Sequence, residues 1–187
     1  EMLMDELAAN ASLRGEIRAA AEQGMPMYAE CGGLMYLARS ITWRGATRAM
    51  AGVIPGDVVM HDRPVGRGYV RLQETGRSPW SPISGEHGSG IRGHEFHYSS
   101  LENLDRGVEF AYKVERGHGV DGRRDGIVYR NVLASYAHLR GVGGNDWPAR
   151  FVEFVRQTGR PALGMRGASR AATCGRPASV ESTRMRG

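Results

Sequence analysis

Residues 28–34 have the sequence Tyr-Ala-Glu-Cys-Gly-Gly-Leu, and this stretch decides the fold. The short apolar run 27–29 predicts a strand, Cys31-Gly32-Gly33 predicts a sharp turn, and the pattern from Leu34 onward predicts a helix. Cys31 lies in the turn, where a nucleophile is held on a strained backbone above the sheet edge. The small Gly32 and Gly33 permit close backbone approach, and the start of a helix favours a thiolate and offers N–H groups to an oxyanion. Cys31 is therefore a candidate nucleophile; the alternative is a buried cysteine that acts as a small hydrophobic residue.

A cysteine nucleophile needs a base, and the chain contains six histidines. His138 follows the apolar run 132–137, which predicts a strand that ends at this histidine. In a parallel sheet the carboxyl ends of strands lie along one edge, where ligands bind, so His138 and Cys31 are expected to share that edge. We therefore predict that His138 is the general base; the alternative is a histidine hydrogen-bonded at a strand end.

A second histidine-rich stretch, residues 93–99, has the sequence Gly-His-Glu-Phe-His-Tyr-Ser. It differs from the zinc-binding HExxH helix because one residue too few separates His94 from His97. In a strand these two side chains point to opposite faces and cannot bind the same ion. We therefore predict no metal site here and expect this strand to form the wall of a cleft.

Hydrophobic periodicity and turn residues divide the rest of the chain into short elements. They predict helices at 2–10, 13–23, 34–39 and 147–157, and strands at 27–29, 51–60, 68–74, 91–98, 108–114 and 127–136. Segment 77–90 predicts a surface loop, and 160–187, poor in large apolar residues, predicts a disordered tail. The pattern predicts an α/β domain over residues 1–159. Because a doubly wound domain normally opens with strands, we expect the first strands to be missing from this C-terminal piece of a longer protein.

Composition excludes several classes of function. The chain has 187 residues, of which 41% are hydrophobic and 24% charged, as expected for one globular domain. It has no apolar run long enough to cross a membrane, an acidic start unlike a signal peptide and only two cysteines, so we expect a cytoplasmic protein. Six of the 25 basic residues and one of the 20 acidic residues follow position 159, which accounts for the net charge of +5. The folded part is neutral, and we expect no nucleic-acid binding.

Three runs together resemble one family: AECGGLMYL, GHEFHYS and NVLASYAHL, in this order along residues 1–156. They are similar to the C-terminal glutamine amidotransferase domain of the cobyrinic (or hydrogenobyrinic) acid a,c-diamide synthases. The resemblance implies a flavodoxin-like class I glutamine amidotransferase fold. It also implies that Cys31 attacks the carboxamide of glutamine to form a thioester and that His138 transfers the protons. Gly32, Gly33 and His97 are assigned to substrate binding on the same basis.

The resemblance also implies partners outside this chain. In the family, ammonia passes to an N-terminal synthetase domain, which uses ATP and Mg²⁺ to activate the a and c carboxylates of the corrin ring. This chain has no phosphate-binding loop, so we expect no cofactor within it. Its expected partners are glutamine, the synthetase domain and, through that domain, the corrin. The alternatives are the glutaminase of a cobyric acid synthase or of a nickel-sirohydrochlorin a,c-diamide synthase, and a catalytically silent partner domain.

Two departures from the family pattern bear on activity. Many related glutaminases place a glutamate two residues after the catalytic histidine, where this chain has Arg140, and Glu95 is a candidate substitute. The family's oxyanion loop ends at the position of Glu1. We therefore expect the chain alone to hydrolyse little or no glutamine.

Overall fold

The computed structural model describes residues 1–80, 90–141 and 145–159 of the chain. The helices α1 (Met4–Ala9) and α2 (Ala11–Glu22) precede strand β1 (Met27–Glu30) and helix α3 (Gly32–Leu37). The elements that follow are β2 (Ser40–Trp43), β3 (Ala46–Ala49), β4 (Asp57–Met60), β5 (Gly66–Glu74), β6 (Ile91–His97), β7 (Ser99–Glu102), β8 (Glu109–Arg116), β9 (Arg124–Tyr129), β10 (Val132–Ser135), β11 (His138–Leu139) and α4 (Trp147–Thr158). The predicted tail 160–187, and residues 81–89 of the predicted loop, lie outside the described residues.

The described strands form two sheets. The larger has seven strands in the order β1-β10-β9-β8-β5-β6-β11, and the smaller has four in the order β3-β2-β4-β7. In the larger sheet β1 and β10 are parallel, whereas every other pair is antiparallel. The expectation of a parallel sheet was therefore wrong: among the described strands only this pair and the pair β2–β4 of the smaller sheet are parallel. The register of β1 and β10 aligns Glu30 with Ser135, which brings the end of β1 beside the end of β10.

The core has two parts that fix the position of β1 from both faces. One cluster packs α3 and the smaller sheet against β9 and β10, with Leu34, Ile41 and Ile127 almost fully buried. The other cluster includes Leu72 and Leu133, and partly buried aromatic side chains of α4 cover it. Burial on both faces of β10 explains why three consecutive residues, Val132, Leu133 and Ala134, are apolar.

The predicted helices are confirmed with small changes at their ends. Asn10 caps α2, because its side-chain oxygen accepts a hydrogen bond from the Leu13 N–H over 3.1 Å. Pro148 lies in the first turn of α4 and Gly159 follows its last residue, positions that proline and glycine favour. Among the described helices, none is both long and apolar enough to cross a membrane.

Several strand predictions were wrong in their bounds. The predicted strand 127–136 is the hairpin β9–β10, which turns at Arg130 with a φ of +51°. Because residues 127–136 contain no glycine or proline, the sequence pattern did not indicate this turn. The predicted strand 51–60 is a strand only from Asp57, and β2, β3 and β7 were not predicted. Trp80 belongs to the predicted surface loop but is 2% exposed, because aromatic rings of α4 and β1 enclose it.

Candidate active site

The turn that carries Cys31 is strained. Cys31 has a φ of +48° and a ψ of −103°, a conformation that L-residues rarely adopt, and helix α3 begins at the next residue. Its N–H donates to the Ser135 carbonyl over 2.8 Å, which ties the turn to the end of β10. The predicted strand, sharp turn and helix are therefore confirmed. This geometry exposes a side chain at the end of a strand, as a nucleophile requires.

The two glycines after Cys31 differ in how tightly they are packed. A Cβ atom at Gly33 would lie 3.2 Å from the Ala29 Cβ, so a side chain there would need the strand to shift. A Cβ atom at Gly32 would meet nothing within 4 Å among the described residues. The close approach predicted for both glycines therefore applies to Gly33, whereas Gly32 leaves open space beside the cysteine.

The thiol of Cys31 is not activated by its position alone. Burial raises its pKa, and the Gly32 N–H, which lowers the pKa, does not offset that effect; the charge of Glu30 raises the pKa further. The expectation that the helix start favours a thiolate was therefore wrong. The physical reason is that α3 has only six residues and the sulfur is partly withdrawn from water. The Sγ lies 3.9 Å from the Phe96 carbonyl oxygen, so the protonated thiol needs a base to become a nucleophile.

His138 lies on β11, three residues beyond the end of β10, and not at the end of that strand as predicted. Asp125 forms the corner between the two strands by accepting hydrogen bonds from the N–H groups of Tyr136 and Ala137 over 3.1 and 2.9 Å. Burial raises the pKa of Asp125 to about 6, although these N–H groups lower it. The ring of His138 stacks on that of His94, with centroids 4.8 Å apart.

Glu30 joins the nucleophile turn to the histidine. Its Oε1 accepts from the Leu139 N–H over 2.8 Å, and its Oε2 lies 3.3 Å from Nδ1 of His138. The Tyr28 hydroxyl makes a further, short hydrogen bond to Oε1. Burial and this contact raise the pKa of Tyr28, so its hydroxyl keeps its proton and donates. A carboxylate only accepts, which assigns the hydrogen to Nδ1 of His138 and leaves Nε2 free as a base.

Glu95, proposed from the sequence to orient His138, does not do so. Its carboxylate is 2% exposed and accepts from the N–H groups of His118 and Gly119 over 2.7 and 2.9 Å. Burial raises the pKa of Glu95, but the His97 ring, whose Nε2 lies 3.6 Å from Oε2, and the hydrogen bonds accepted from these two N–H groups outweigh that effect and lower the pKa overall. Glu95 therefore anchors the loop after β8. Glu30 was missed, although a glutamate next to the candidate nucleophile in an otherwise apolar strand was a signal.

His97 is also directed inward. Its side chain is 1% exposed, its Nδ1 lies 2.8 Å from the Ser99 carbonyl oxygen and its ring stacks on Tyr136 at 3.9 Å. His94, three residues earlier, is exposed, which confirms that the two histidines point to opposite faces of β6. The assignment of His97 to substrate binding finds no support in this geometry, because the described contacts of its ring are internal.

Glu30 therefore connects Cys31 and His138: it precedes Cys31 in the chain, and its carboxylate contacts the ring of His138. Within the described ranges no hydrogen bond joins the Sγ of Cys31 to His138. The sulfur instead contacts the carbonyl oxygen of Phe96. Catalytic hydrogen bonds of this kind are often long before substrate binds. The arrangement supplies a nucleophile, a base and a carboxylate that orients the base.

This arrangement agrees with a comparison of the sequence with protein families. Residues 2–144 match the family described as the CobB/CobQ-like glutamine amidotransferase domain. The chain belongs to this family. The match confirms the resemblance inferred from the three motifs around Cys31, His97 and His138.

Two curated relatives of this glutamine amidotransferase domain carry the same name. The cobyrinate a,c-diamide synthase of Magnetococcus marinus is 45% identical over 159 residues, which cover 85% of this chain and 33% of the relative. The cobyrinate a,c-diamide synthase of Methanosarcina acetivorans is 38% identical over 166 residues, which cover 82% of this chain and 32% of the relative. The chain thus spans about a third of the length of these relatives.

Solved structures share the fold of the domain. A crystal structure of a glutamine amidotransferase matches with a TM-score of 0.55 and 20% identity, over 81% of this chain and 72% of that one. The structure of PurLQS from Thermotoga maritima also gives a TM-score of 0.55, with 16% identity over 81% of this chain and 70% of that one. These similarities establish a mixed α/β class I glutamine amidotransferase fold.

The position of His138 in the amidotransferase domain depends on a glycine of the neighbouring strand. A Cβ atom at Gly93 would lie 2.5 Å from the His138 carbonyl oxygen, so Gly93→Ala must push β11 away from β6. We expect this variant to lose about 10²-fold in glutamine turnover, because displacements near 1 Å have effects of this size. The matched control is Gly15→Ala in α2, where a Cβ would meet no described atom within 4 Å. A steady-state assay of both variants measures the effect; equal activities would contradict the dependence.

Proposed function

We propose that residues 1–159 form the glutaminase domain of an ATP-dependent cobyrinate (or hydrogenobyrinate) a,c-diamide synthase of the cobalamin pathway. The domain hydrolyses glutamine and supplies ammonia for amidation of the a and c carboxylates of the corrin. The family assignment and the names of the curated relatives support this proposal. The observation that carries it is the strained Cys31 turn, which Glu30 links to His138.

In the proposed reaction, Nε2 of His138 takes the proton of the Cys31 thiol, and the thiolate attacks the carboxamide carbon of glutamine. The oxyanion that forms accepts hydrogen bonds from N–H groups at the start of α3, to which Gly32 and Gly33 belong. The C–N bond then breaks, His138 returns the proton to the leaving nitrogen, and ammonia departs from a glutamyl thioester. Water, deprotonated by His138, hydrolyses the thioester and releases glutamate.

The amidation itself requires other parts of the enzyme. We assign ATP, Mg²⁺ and corrin binding to a synthetase domain that corresponds to the remaining length of the relatives. The names of the relatives favour the a,c-diamide synthase over a cobyric acid synthase, whereas the glutaminase domain alone does not distinguish a corrin from a nickel-bearing macrocycle. An assay of the complete synthase with each macrocycle separates these alternatives. If the complete synthase amidates neither macrocycle, the result would favour a catalytically silent partner domain.

We further propose that this domain in isolation hydrolyses glutamine slowly. The pKa of Cys31 is raised, and in the described part of the chain its sulfur contacts Phe96 instead of the base. Contact with the synthetase domain is expected to bring the thiol and His138 together. A coupled assay for glutamate, run with the 187-residue chain and with the complete synthase, tests this proposal.

The nucleophile assignment predicts selective labelling. We expect diazo-oxo-norleucine, a glutamine analogue that carries an electrophile, to label Cys31 and not Cys174, because it must first bind where glutamine binds. Since the pKa of Cys31 is raised, the labelling rate is expected to keep increasing at pH values above the ordinary range of thiol ionisation. Intact mass and peptide mapping measure the label. Equal labelling of the two cysteines would show that the analogue is not recognised at Cys31.

A further inference from the structure

Four arginines form a row across the exposed face of the larger sheet. Arg71 on β5 is aligned with Arg92 on β6 and with Arg116 on β8, and the N–H of Arg140 donates to the Arg92 carbonyl over 3.2 Å. All four side chains are exposed. The row therefore crosses β8, β5, β6 and the residue after β11, in neighbouring positions.

Within the part of the chain that the structure describes, these four arginines lack the acidic partners that other arginines have. Arg39 and Arg124 form ion pairs with aspartates. In contrast, none of the four forms an ion pair with any residue in the ranges 1–80, 90–141 and 145–159. The side chains of Glu115 and Arg71 both lie beside Gly90, but they do not form an ion pair with each other. Like charges that face one another on adjacent strands destabilise a sheet, so this placement has a cost that a bound anion would remove.

The row lines a cavity of about 330 Å³ together with Tyr69, which is 67% exposed. This volume lies within the range of small-molecule sites. Guanidinium groups bind carboxylates and phosphates with two parallel hydrogen bonds, and several of them select an anion with several acidic groups. The exposed ring of Tyr69 offers an apolar surface that suits the carbon frame of an organic anion more than an inorganic one.

We propose that this arginine row is a binding site for an organic polycarboxylate. Carboxylates of the ligand pair with Arg71, Arg92, Arg116 and Arg140, and its carbon frame lies against Tyr69. Arg140 also lines a second cavity that includes His94, whose ring stacks on the candidate base His138. A ligand on the row therefore lies next to the place where ammonia is released. The proposal does not depend on glutamine hydrolysis, although the acceptor in the proposed function belongs to this chemical class.

The test uses the 187-residue chain and isothermal titration calorimetry with butane tetracarboxylate as the probe. Acetate serves as the monocarboxylate and tripolyphosphate as the phosphate-bearing comparison. We expect one tetracarboxylate to bind per chain and acetate not to bind. The double variant Arg71→Gln/Arg92→Gln should weaken binding by about tenfold or more, because it removes two charge-assisted contacts. The control Arg63→Gln/Arg106→Gln removes two exposed charges elsewhere and should change binding by less than about twofold.

Three outcomes would overturn the proposal. Equal weakening in the two double variants would mean non-specific attraction to a basic protein. Tighter binding of tripolyphosphate than of the tetracarboxylate would assign the row to phosphate. The third outcome is a change in stability without ligand. We expect the double variant Arg71→Gln/Arg92→Gln to have a higher thermal midpoint at low salt, because the substitutions relieve the repulsion between like charges. A lower midpoint would show that the protein already compensates these charges.

Discussion

Cys31→Ala and His138→Ala, each introduced into a complete synthase that carries this domain, should abolish synthesis driven by glutamine. The expected loss is about 10⁴-fold or more, because removing a nucleophile or its base leaves only the contribution of binding and oxyanion donors. Synthesis driven by free ammonia should stay near the rate of the unsubstituted enzyme, because the proposed function assigns amide formation to a separate synthetase domain. The measurement is the rate of amide formation with glutamine and, separately, with ammonium salts.

The matched control for this experiment is Cys174→Ala, which removes the other thiol of the chain. It should retain both activities, since the proposed reaction uses only Cys31. If either active-site variant keeps glutamine-driven synthesis near the unsubstituted rate, the nucleophile or the base is assigned to the wrong residue. Loss of both activities in one variant would instead indicate a folding defect, which circular dichroism would detect.

The parts of the site that depend on neighbouring residues were predictable from the sequence. The turn at Cys31 is set by the short apolar strand before it and the glycines after it, so its strained conformation followed from local pattern alone. The opposite orientation of His94 and His97 followed from the two-residue period of a strand. In both cases the chemistry of a few consecutive residues determines the geometry.

The parts that depend on packing were not predictable. Glu30 contacts His138 across 108 positions of sequence, and that contact requires the bend that Asp125 forms after β10. The sign of the pKa shift of Cys31 depends on how much water reaches the sulfur, which no local pattern encodes. The burial of Trp80 was not predictable either, because the residues around it in the sequence are polar and indicated a surface loop. Sequence periodicity gives the elements, whereas long-range contacts decide which side chains meet.

The contact between Glu30 and His138 gives the second large prediction. Glu30→Gln keeps the size of the side chain and an oxygen that can accept from the Leu139 N–H, but it removes the negative charge beside Nδ1. We expect the glutamine-dependent kcat to fall by about 10²–10⁴-fold, the usual contribution of general acid–base catalysis, because His138 is then free to adopt the wrong tautomer. The KM for glutamine should change little, since Glu30 contacts the base and not the substrate. Synthesis from ammonia should be unaffected.

Tyr28→Phe is the matched control, because it removes a neutral hydrogen bond from the same carboxylate and leaves the charge beside His138 in place. It should lower kcat by less than about tenfold, since one hydrogen bond contributes roughly 0.5–1.5 kcal/mol. The split between kcat and KM separates positioning from folding. In Glu30→Gln the loss should fall on kcat, with a KM and a thermal midpoint near those of the unsubstituted enzyme, because an oxygen that accepts from the Leu139 N–H is retained. Equal losses of kcat in the two variants, or a clearly lower thermal midpoint in Glu30→Gln, would mean that Glu30 holds the strand ends together and does not orient the base.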